Sequence, residues 1–158
     1  MKILVFGCLA IVTVSCLSGC KSAGRAGEMP AGKQVEIHAG NFERIAGMQW
    51  FLKSMKADGQ DYALTGEIPF IQFAPDGKVS GFASINRYFG SVQVSSKGHV
   101  AWSNLGSTRM AGPENLMKQE DAFLKALTRT ERLSVEGINL YALTADGQTE
   151  LVFYVPVK

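Results

Sequence analysis

Few side chains in this sequence have the type and spacing that catalysis or metal binding requires. Glu120 and Asp121 are adjacent acids, and paired carboxyl groups can act as general acid and base. They fall on the polar side of a predicted helix, so we expect a solvated helix face. His38 and His99 lie far apart with no His-x-x-x-His spacing, unlike a metal centre. Neither a Gly-x-Ser-x-Gly elbow nor a Walker-type phosphate loop occurs, so we predict no catalytic residues, no metal site and no cofactor.

The chemistry that the sequence does indicate lies at Cys20. Lys2 supplies a positive charge, residues 3–17 are almost entirely apolar, and residues 17–20 read Leu-Ser-Gly-Cys. The combination resembles a bacterial lipobox, in which the cysteine is acylated and becomes the first residue of the mature chain. A plain secretory signal and an uncleaved membrane helix are the alternatives. We predict a lipoprotein signal peptide over residues 1–19 and lipidation of Cys20.

Lipidation would determine where the mature chain is located. Each buried methylene contributes about 0.8 kcal/mol, so several acyl chains such as palmitate hold a protein stably on a membrane. Lys21 follows the cysteine, at the position where an aspartate usually signals retention in the inner membrane. We therefore expect a lipid-anchored protein of the cell envelope, on the outer membrane facing the periplasm if the organism is Gram-negative.

Charge and cysteine content narrow the class of partner. The chain has 16 basic and 14 acidic residues without a dense run of Lys or Arg, which argues against nucleic acid as a partner. Cys8, Cys16 and Cys20 all lie in the leader or at the anchor, so the folded part has no disulfide and no thiol nucleophile.

Residues 20–41 comprise the lipidated cysteine and a segment rich in Gly, Ala and Pro. We predict that this segment is a flexible tether, in which residues 21–35 hold the folded part about 20 Å from the lipid.

Most of the remaining chain has the pattern of short strands joined by tight turns. The first strand is predicted at residues 44–54. Residues 75–77, Pro-Asp-Gly, predict a tight hairpin because glycine adopts a positive φ without strain. Further Asp-Gly turns occur at residues 58–59 and 146–147. Strands of this length and spacing are typical of a sandwich or barrel.

One segment has a helical pattern instead. Between Pro113 and Leu127, apolar residues recur at positions 116, 123, 124 and 127, which form one helical stripe. Pro113 suits the first helical position, where no N–H is needed, and Gly112 can serve as the N-cap. The sequence thus predicts a mainly β fold with one α-helix inserted late in the chain.

Two short motifs on either side of a strand region carry a family resemblance. Residues 86–90 read Asn-Arg-Tyr-Phe-Gly after the Pro-Asp-Gly hairpin, and residues 107–111 read Ser-Thr-Arg-Met-Ala before the helix. In this order the motifs resemble the META domain (HslJ-like) family, over residues 42–158. The resemblance implies a small half-open antiparallel β-barrel with one helix packed against an opening. It also implies a non-catalytic envelope protein of the kind linked to stress response, antibiotic tolerance and secretion.

The sequence departs from the family pattern at two positions. Family members often have a cysteine before the first motif and another at the end of the second, where this chain has Ile85 and Gly112. If the two positions approach each other, losing both cysteines avoids a lone thiol, and Ile85 can fill core volume. A disulfide's stabilisation of a few kcal/mol is then absent, and a redox role is excluded.

The motif side chains can be structural or can bind a partner. The residues in question are Asn86, Tyr88, Gly90, Thr108, Arg109 and Met110. At the strand-to-helix junction beside Thr108, we expect Met110 to fill the core at the open end of the barrel. Arg109 is expected to pair with a carboxylate or carbonyl, and a ligand-facing Arg109 is the alternative. Asn86 and Gly90 are expected to specify a turn or bend, with a binding contact as the alternative.

Two functions follow from the resemblance and the anchor. The first is a non-catalytic envelope lipoprotein whose barrel binds a protein partner, as a stress or assembly factor. The alternative is a carrier or sensor of an apolar small molecule in the barrel mouth under the helix. Aromatic residues such as Tyr88 would line a cavity in the second case and fill the core in the first.

Overall fold

The computed structural model describes residues 33–157. The predicted signal peptide, Cys20 and most of the predicted tether lie outside the described residues. Among residues 33–157, no helix is long and apolar enough to cross a membrane.

Eleven strands and one α-helix make up the described fold. The strands, in chain order, are β1 (Val35–Glu36), β2 (Gln49–Ala57), β3 (Gln60–Tyr62), β4 (Phe70–Phe73), β5 (Lys78–Phe82), β6 (Arg87–Val94), β7 (Val100–Trp102), β8 (Gly106–Ser107), β9 (Arg132–Glu136), β10 (Asn139–Leu143) and β11 (Glu150–Tyr154). A short 3-10 helix, Ala39–Arg44, precedes β2, and the α-helix α1 spans Glu114–Arg129.

The strands form one antiparallel sheet in the order β1-β9-β10-β11-β2-β4-β5-β6-β7. Strand β3 pairs with β2, and β8 pairs with β6. Within the described residues, β1 and β7 are the two ends of this order. The amide of Ala39 donates to the carbonyl of Ser95 (3.1 Å) and the amide of Val100 to that of Glu131 (2.9 Å), so the two ends lie near each other. The predicted fold, mainly β with a half-open antiparallel barrel and one late helix, is confirmed.

The hairpins form where Asp-Gly pairs predicted them. Gly77 has a φ of +81°, and its amide donates to the carbonyl of Ala74 (3.0 Å) between β4 and β5. Gly59 and Gly147 also have positive φ, at the β2–β3 and β10–β11 turns. These turns depend on local backbone chemistry, which explains why sequence alone located them.

The beginning of the folded part differs from the prediction. Residues 44–48 are not part of the first long strand, which begins at Gln49. The segment predicted as tether up to residue 41 is already folded, because Val35 pairs with Val135 and Ile37 is fully buried. His38 caps the 3-10 helix, accepting a hydrogen bond from the Gly40 amide (3.1 Å).

The helix begins one residue later than predicted. Pro113 is its N-cap, with an extended ψ of 137°, and helical geometry begins at Glu114. Gly112 is therefore not the cap. The helix turns Phe123, Ala126 and Leu127 toward the sheet, where all three are buried. Of the stripe that the spacing predicted, Phe123 and Leu127 are buried, and Leu116 and Leu124 are half-buried.

Large side chains fill the interior between the sheet and the helix. The Phe123 ring lies 5.9 Å from the Tyr88 ring and 6.3 Å from the Phe153 ring, measured between centroids. Trp50 is 2 % exposed, and its indole N–H donates to the carbonyl of Ile45 (2.9 Å). The mouth of the barrel under the helix is thus occupied by the protein's own aromatic rings.

Candidate functional site

The Asn86 side chain joins both motifs. It is only 5 % exposed, and its Oδ1 accepts hydrogen bonds from the Thr108 hydroxyl and the Met110 amide, both at 2.8 Å. Its Nδ2 donates to the Met110 carbonyl (3.2 Å) and to Glu120 Oε1 (2.8 Å). Asn86 therefore connects the start of β6, the segment before the helix and the helix itself.

Glu120 completes this arrangement from the helix side. Its Oε2 accepts hydrogen bonds from the backbone amides of Ile85 (3.1 Å) and Asn86 (2.8 Å), and its side chain is buried with the core. A buried carboxylate is tolerated only where donors replace water, and here backbone and side-chain N–H groups do so. We call the side chains of Asn86, Thr108 and Glu120, with the Met110 backbone, the polar clamp.

The solvated helix face predicted for the two adjacent acids is wrong for Glu120. Asp121 is exposed and lies 3.8 Å from Lys125 in an exposed ion pair, but Glu120 faces inward. The reason is the helical period, since position 120 lies four residues after Leu116 and three before Phe123, within the inner stripe. That spacing is the signal that sequence reasoning missed.

Gln119 makes a second set of contacts that sequence reasoning missed. Its Oε1 accepts a hydrogen bond from the Thr65 amide (2.8 Å), and its Nε2 donates to the Thr65 carbonyl (3.1 Å). The same Nε2 donates to the hydroxyl of Ser84 (2.8 Å), a residue with a φ of +119°. Neighbouring helix residues thus fix the loop before β4 and the loop before β6.

Met110 and Arg109 do not have the predicted structural roles. Met110 is 56 % exposed and does not fill the core, because both its amide and its carbonyl are bonded to Asn86. Arg109 is exposed, and among the ion pairs of residues 33–157 it takes part in none. The junction is held by Asn86 and Thr108 instead, through a further bond from the Thr108 amide to the Arg87 carbonyl (3.0 Å).

Tyr88 and Gly90 are structural residues of β6. Tyr88 is 1 % exposed, its hydroxyl donates to the Phe70 carbonyl (3.1 Å), and burial raises its pKa well above the ordinary value. Gly90 pairs regularly with Val79, so no bulge occurs there. A Cβ at position 90 would lie 2.6 Å from Leu105 Cδ2, which shows that the glycine permits close approach of the segment before β8.

Ile85 and Gly112, the two positions that differ from the family pattern, are neighbours in space. A Cβ at position 112 would lie 2.5 Å from Ile85 Cδ1. The Ile85 side chain is half-buried and occupies the volume beside the glycine. The two positions therefore approach each other in this chain, which is the condition under which losing both cysteines avoids a lone thiol.

One group of exposed residues surrounds the polar clamp. Phe89 is 60 % and Met110 56 % exposed, and Arg87 and Arg109 are also exposed. They lie on two adjacent antiparallel segments, since Phe89 pairs with Gly106 and the Arg87 amide donates to the Thr108 hydroxyl (3.2 Å). We call Arg87, Phe89, Arg109 and Met110 the junction surface.

A second exposed group crosses the outside of the sheet. Tyr154, Phe51, Phe70 and Phe82 are direct cross-strand partners on β11, β2, β4 and β5. Successive ring centroids lie 6.1, 5.9 and 6.4 Å apart, and all four side chains are half-buried. Their strand neighbours point inward, so these rings lie on the outer side. We call the four the outer aromatic face.

A metal site and a site for an apolar ligand receive less support from the structure than the two exposed groups. Among residues 33–157, no group of three or more His, Cys, Asp or Glu side chains is placed to hold a metal ion. The described grooves open to solvent, and one of about 750 Å³ lies beside Phe89, Gly90 and Lys78. Since aromatic rings fill the barrel mouth, the packing argues against an apolar ligand carried there.

Comparisons with known proteins agree with this architecture. A family model for the META domain matches residues 43–156. An NMR structure of a protein from Burkholderia xenovorans is 23 % identical, with a TM-score of 0.64, covering 87 % of this chain and 99 % of that one. The crystal structure of a DUF4847 family protein from Bacteroides vulgatus is 16 % identical, with a TM-score of 0.56, covering 73 % and 97 %. No curated protein matches. At these identities the two structures show the fold alone.

Proposed function

The chain belongs to the META domain family, and from that premise we propose that it is a membrane-anchored lipoprotein of the cell envelope whose folded part binds a protein partner. Acylation of Cys20 would supply the anchor, on the outer membrane facing the periplasm if the organism is Gram-negative. The role proposed is that of a stress-response or assembly factor that carries out no reaction.

The junction surface is the observation on which the proposal rests. Aromatic residues, methionine and arginine are enriched at the centres of protein interfaces, and Arg is frequent among the residues that dominate binding energy. Phe89 and Met110 are among the most exposed large apolar side chains of the described residues, and two arginines accompany them. A surface of these residue types suits a protein partner with apolar and acidic groups.

The polar clamp explains how this surface is held ready for binding. Asn86 bonds both backbone groups of Met110, and Thr108 bonds both the amide and the carbonyl of Arg87. The segment that carries Arg109 and Met110 is therefore restrained before a partner arrives, which lowers the entropy cost of binding.

The same contacts support a non-catalytic role. Among the polar side chains of the two motifs, those of Asn86 and Thr108 use their hydrogen-bonding atoms within the fold. The helix carboxylate nearest to them, Glu120, is likewise bonded to backbone and side-chain N–H groups. Groups held in this way are poorly suited to exchange protons with a substrate.

Photo-crosslinking in intact cells tests the proposal. The full acylated chain with Met110→p-benzoylphenylalanine should yield a cross-linked product of discrete mass. Adding Arg109→Ala should reduce that product about tenfold, because a central interface arginine contributes on the order of 1–2 kcal/mol. The thermal midpoint should stay nearly unchanged, since Arg109 is exposed.

Matched variants give the controls. Arg44→Ala removes another exposed arginine and should leave the product intact, and the same photoreactive group at Tyr62, which is 39 % exposed, should not give it. A product unaffected by Arg109→Ala would contradict partner binding through this surface. Mass spectrometry of the mature N-terminus tests the anchor separately, because an unacylated residue 20 would contradict lipidation.

A further inference from the structure

We infer that the outer aromatic face lies against the lipid surface to which the chain is anchored, an inference that rests on the anchoring proposed above. The face is a continuous strip of half-buried rings, with Phe51 at its centre and Tyr154 at one end. Such a strip on the outer side of a sheet places apolar surface in water unless something covers it.

The strip widens toward the strand at which the chain enters the fold. Tyr141 and Val152 pair directly and are half-buried, next to Tyr154 on the outer side of β10 and β11. Ile138, which is 49 % exposed, precedes Asn139, the cross-strand partner of Tyr154. The outer side of these strands therefore carries apolar side chains beyond the single row of rings, together with the acids Glu136 and Glu150 beside Tyr141.

The entry point of the chain borders this strip. The Gln34 side chain donates to the Ser134 hydroxyl (2.7 Å), and Ser134 is the cross-strand partner of Tyr141. Val35 then pairs with Val135 as the chain continues into β1. The described part of the chain therefore begins at the margin of the outer apolar strip.

The length of the preceding segment favours the membrane as the occupant. The segment from Cys20 to Lys33 has the composition of a coil with an end-to-end distance of about 20 Å. A folded part of this size has a radius of gyration of about 14 Å. An anchor this short keeps the side at which the chain enters near the lipid. The end of the strip formed by Tyr141 and Tyr154, on β10 and β11, is the part nearest to β1 in the sheet order and therefore the part that meets the lipid first.

The residue types at the strip suit the interface between water and lipid. Tyrosine is enriched there because its ring is apolar and its hydroxyl is polar. A groove of about 490 Å³ beside the strip is lined by Tyr154, Ile68 and Ile138 and also by Lys53. The Lys53 ammonium can reach anionic headgroups while its methylenes stay among the apolar side chains.

Quenching of tryptophan fluorescence tests the inference on the full acylated chain. Tyr154→Trp puts a reporter in the strip, and Tyr62→Trp is the matched control on β3, beside α1. Vesicles of phosphatidylethanolamine and phosphatidylglycerol with brominated acyl chains should quench the first reporter at least about twofold more than the second. Trp50 and Trp102 contribute the same background to every variant.

A water-soluble quencher shows whether lipid, water or protein covers the strip. Iodide should quench Tyr154→Trp less than Tyr62→Trp if lipid covers the strip. Strong iodide quenching of both reporters would overturn the inference, because the strip would then be in water. Protection of Tyr154→Trp from both quenchers would also overturn it, since the preceding segment or a second copy of the chain would then cover the strip. Tyr141→Trp serves as a second reporter if Tyr154→Trp does not fold.

Failure of the inference can be told apart from failure of the proposed function. An acylated N-terminus with equal quenching of both reporters overturns only the docking of the strip. An unacylated N-terminus overturns the anchor, and the inference falls with it. Cross-linking at the junction surface tests partner binding by residues that do not belong to the strip.

Discussion

In the polar clamp a carboxylate is buried against N–H groups, whereas on the outer aromatic face four rings stay partly in water. Glu120 lies in the interior because Asn86 and the backbone of Ile85 supply donors in place of solvent. Phe51 and Phe70 lie outside although apolar side chains gain by burial. The fold itself compensates the desolvation of Glu120, whereas it leaves apolar area of the four rings exposed.

This difference predicts which substitutions act on folding and which act on contacts with a partner or surface. A buried carboxylate that loses one donor is costly, so the clamp residues depend on one another. The rings of the outer face stabilise each other only as cross-strand pairs, which contribute modestly. Substitutions in the clamp should therefore act on stability, and substitutions on the face should act mainly on contacts with something outside the chain.

The largest expected effect comes from Asn86→Ala. The change removes a donor to Glu120 and leaves the Thr108 hydroxyl and the backbone groups of Met110 without their partner. We expect the free energy of unfolding to fall by about 3 kcal/mol, measured by denaturant titration. Asn104→Ala, at an exposed position, should change it by less than about 0.5 kcal/mol. Equal losses in both variants would remove the distinction between the clamp and an ordinary surface.

The sequence predicted those parts of the fold that depend on neighbours along the chain. Asp-Gly turns such as Asp76-Gly77 and the inner helix stripe at Phe123 and Leu127 are of this kind. The sequence does not predict the polar clamp, because its partners Asn86 and Glu120 are 34 residues apart and meet only in the folded chain.

The same limit explains why the prediction for Met110 is wrong and why the outer aromatic face has no signal in the sequence. The apolar side chain of Met110 predicts a position in the core, but hydrogen bonds between its backbone and Asn86 decide its position. The sequence does not predict the outer aromatic face, because its members come from four strands. In β2, the inward Trp50 and the outward Phe51 are adjacent and both aromatic, so no alternation of polar and apolar residues marks the outer side.

A smaller effect is expected from Glu120→Gln, which tests whether the clamp needs a carboxylate. The amide oxygen can still accept the backbone N–H groups of Ile85 and Asn86, but the new NH₂ then faces the NH₂ of Asn86. Rotating Asn86 would relieve this at the expense of its bonds to Thr108 and Met110. We expect a loss of about 2 kcal/mol by denaturant titration.

The adjacent acid provides the control for this change. Asp121→Asn alters an exposed residue whose partner, Lys125, is also exposed, so the loss should stay below about 0.5 kcal/mol. If Glu120→Gln and Asp121→Asn were equally stable, the buried carboxylate would contribute no more to stability than an exposed one. The polar clamp would then not differ from a surface contact.

The smallest effect on stability is expected from Phe51→Ala, compared with Leu52→Ala one residue along β2. Leu52 is 1 % exposed, and its truncation leaves a cavity that should lower the free energy of unfolding by about 3 kcal/mol. Phe51 is half-buried between Phe70 and Tyr154 on the two neighbouring strands, so its truncation should lower the free energy of unfolding by about 1 kcal/mol. In acylated chains on brominated vesicles, Phe51→Ala should nevertheless weaken the quenching of the Tyr154→Trp reporter, whereas Leu52→Ala should not while the chain stays folded. Equal stability losses for the two variants would mean that the chain itself covers the outer aromatic face, because only a fully packed ring costs as much to truncate as a core leucine.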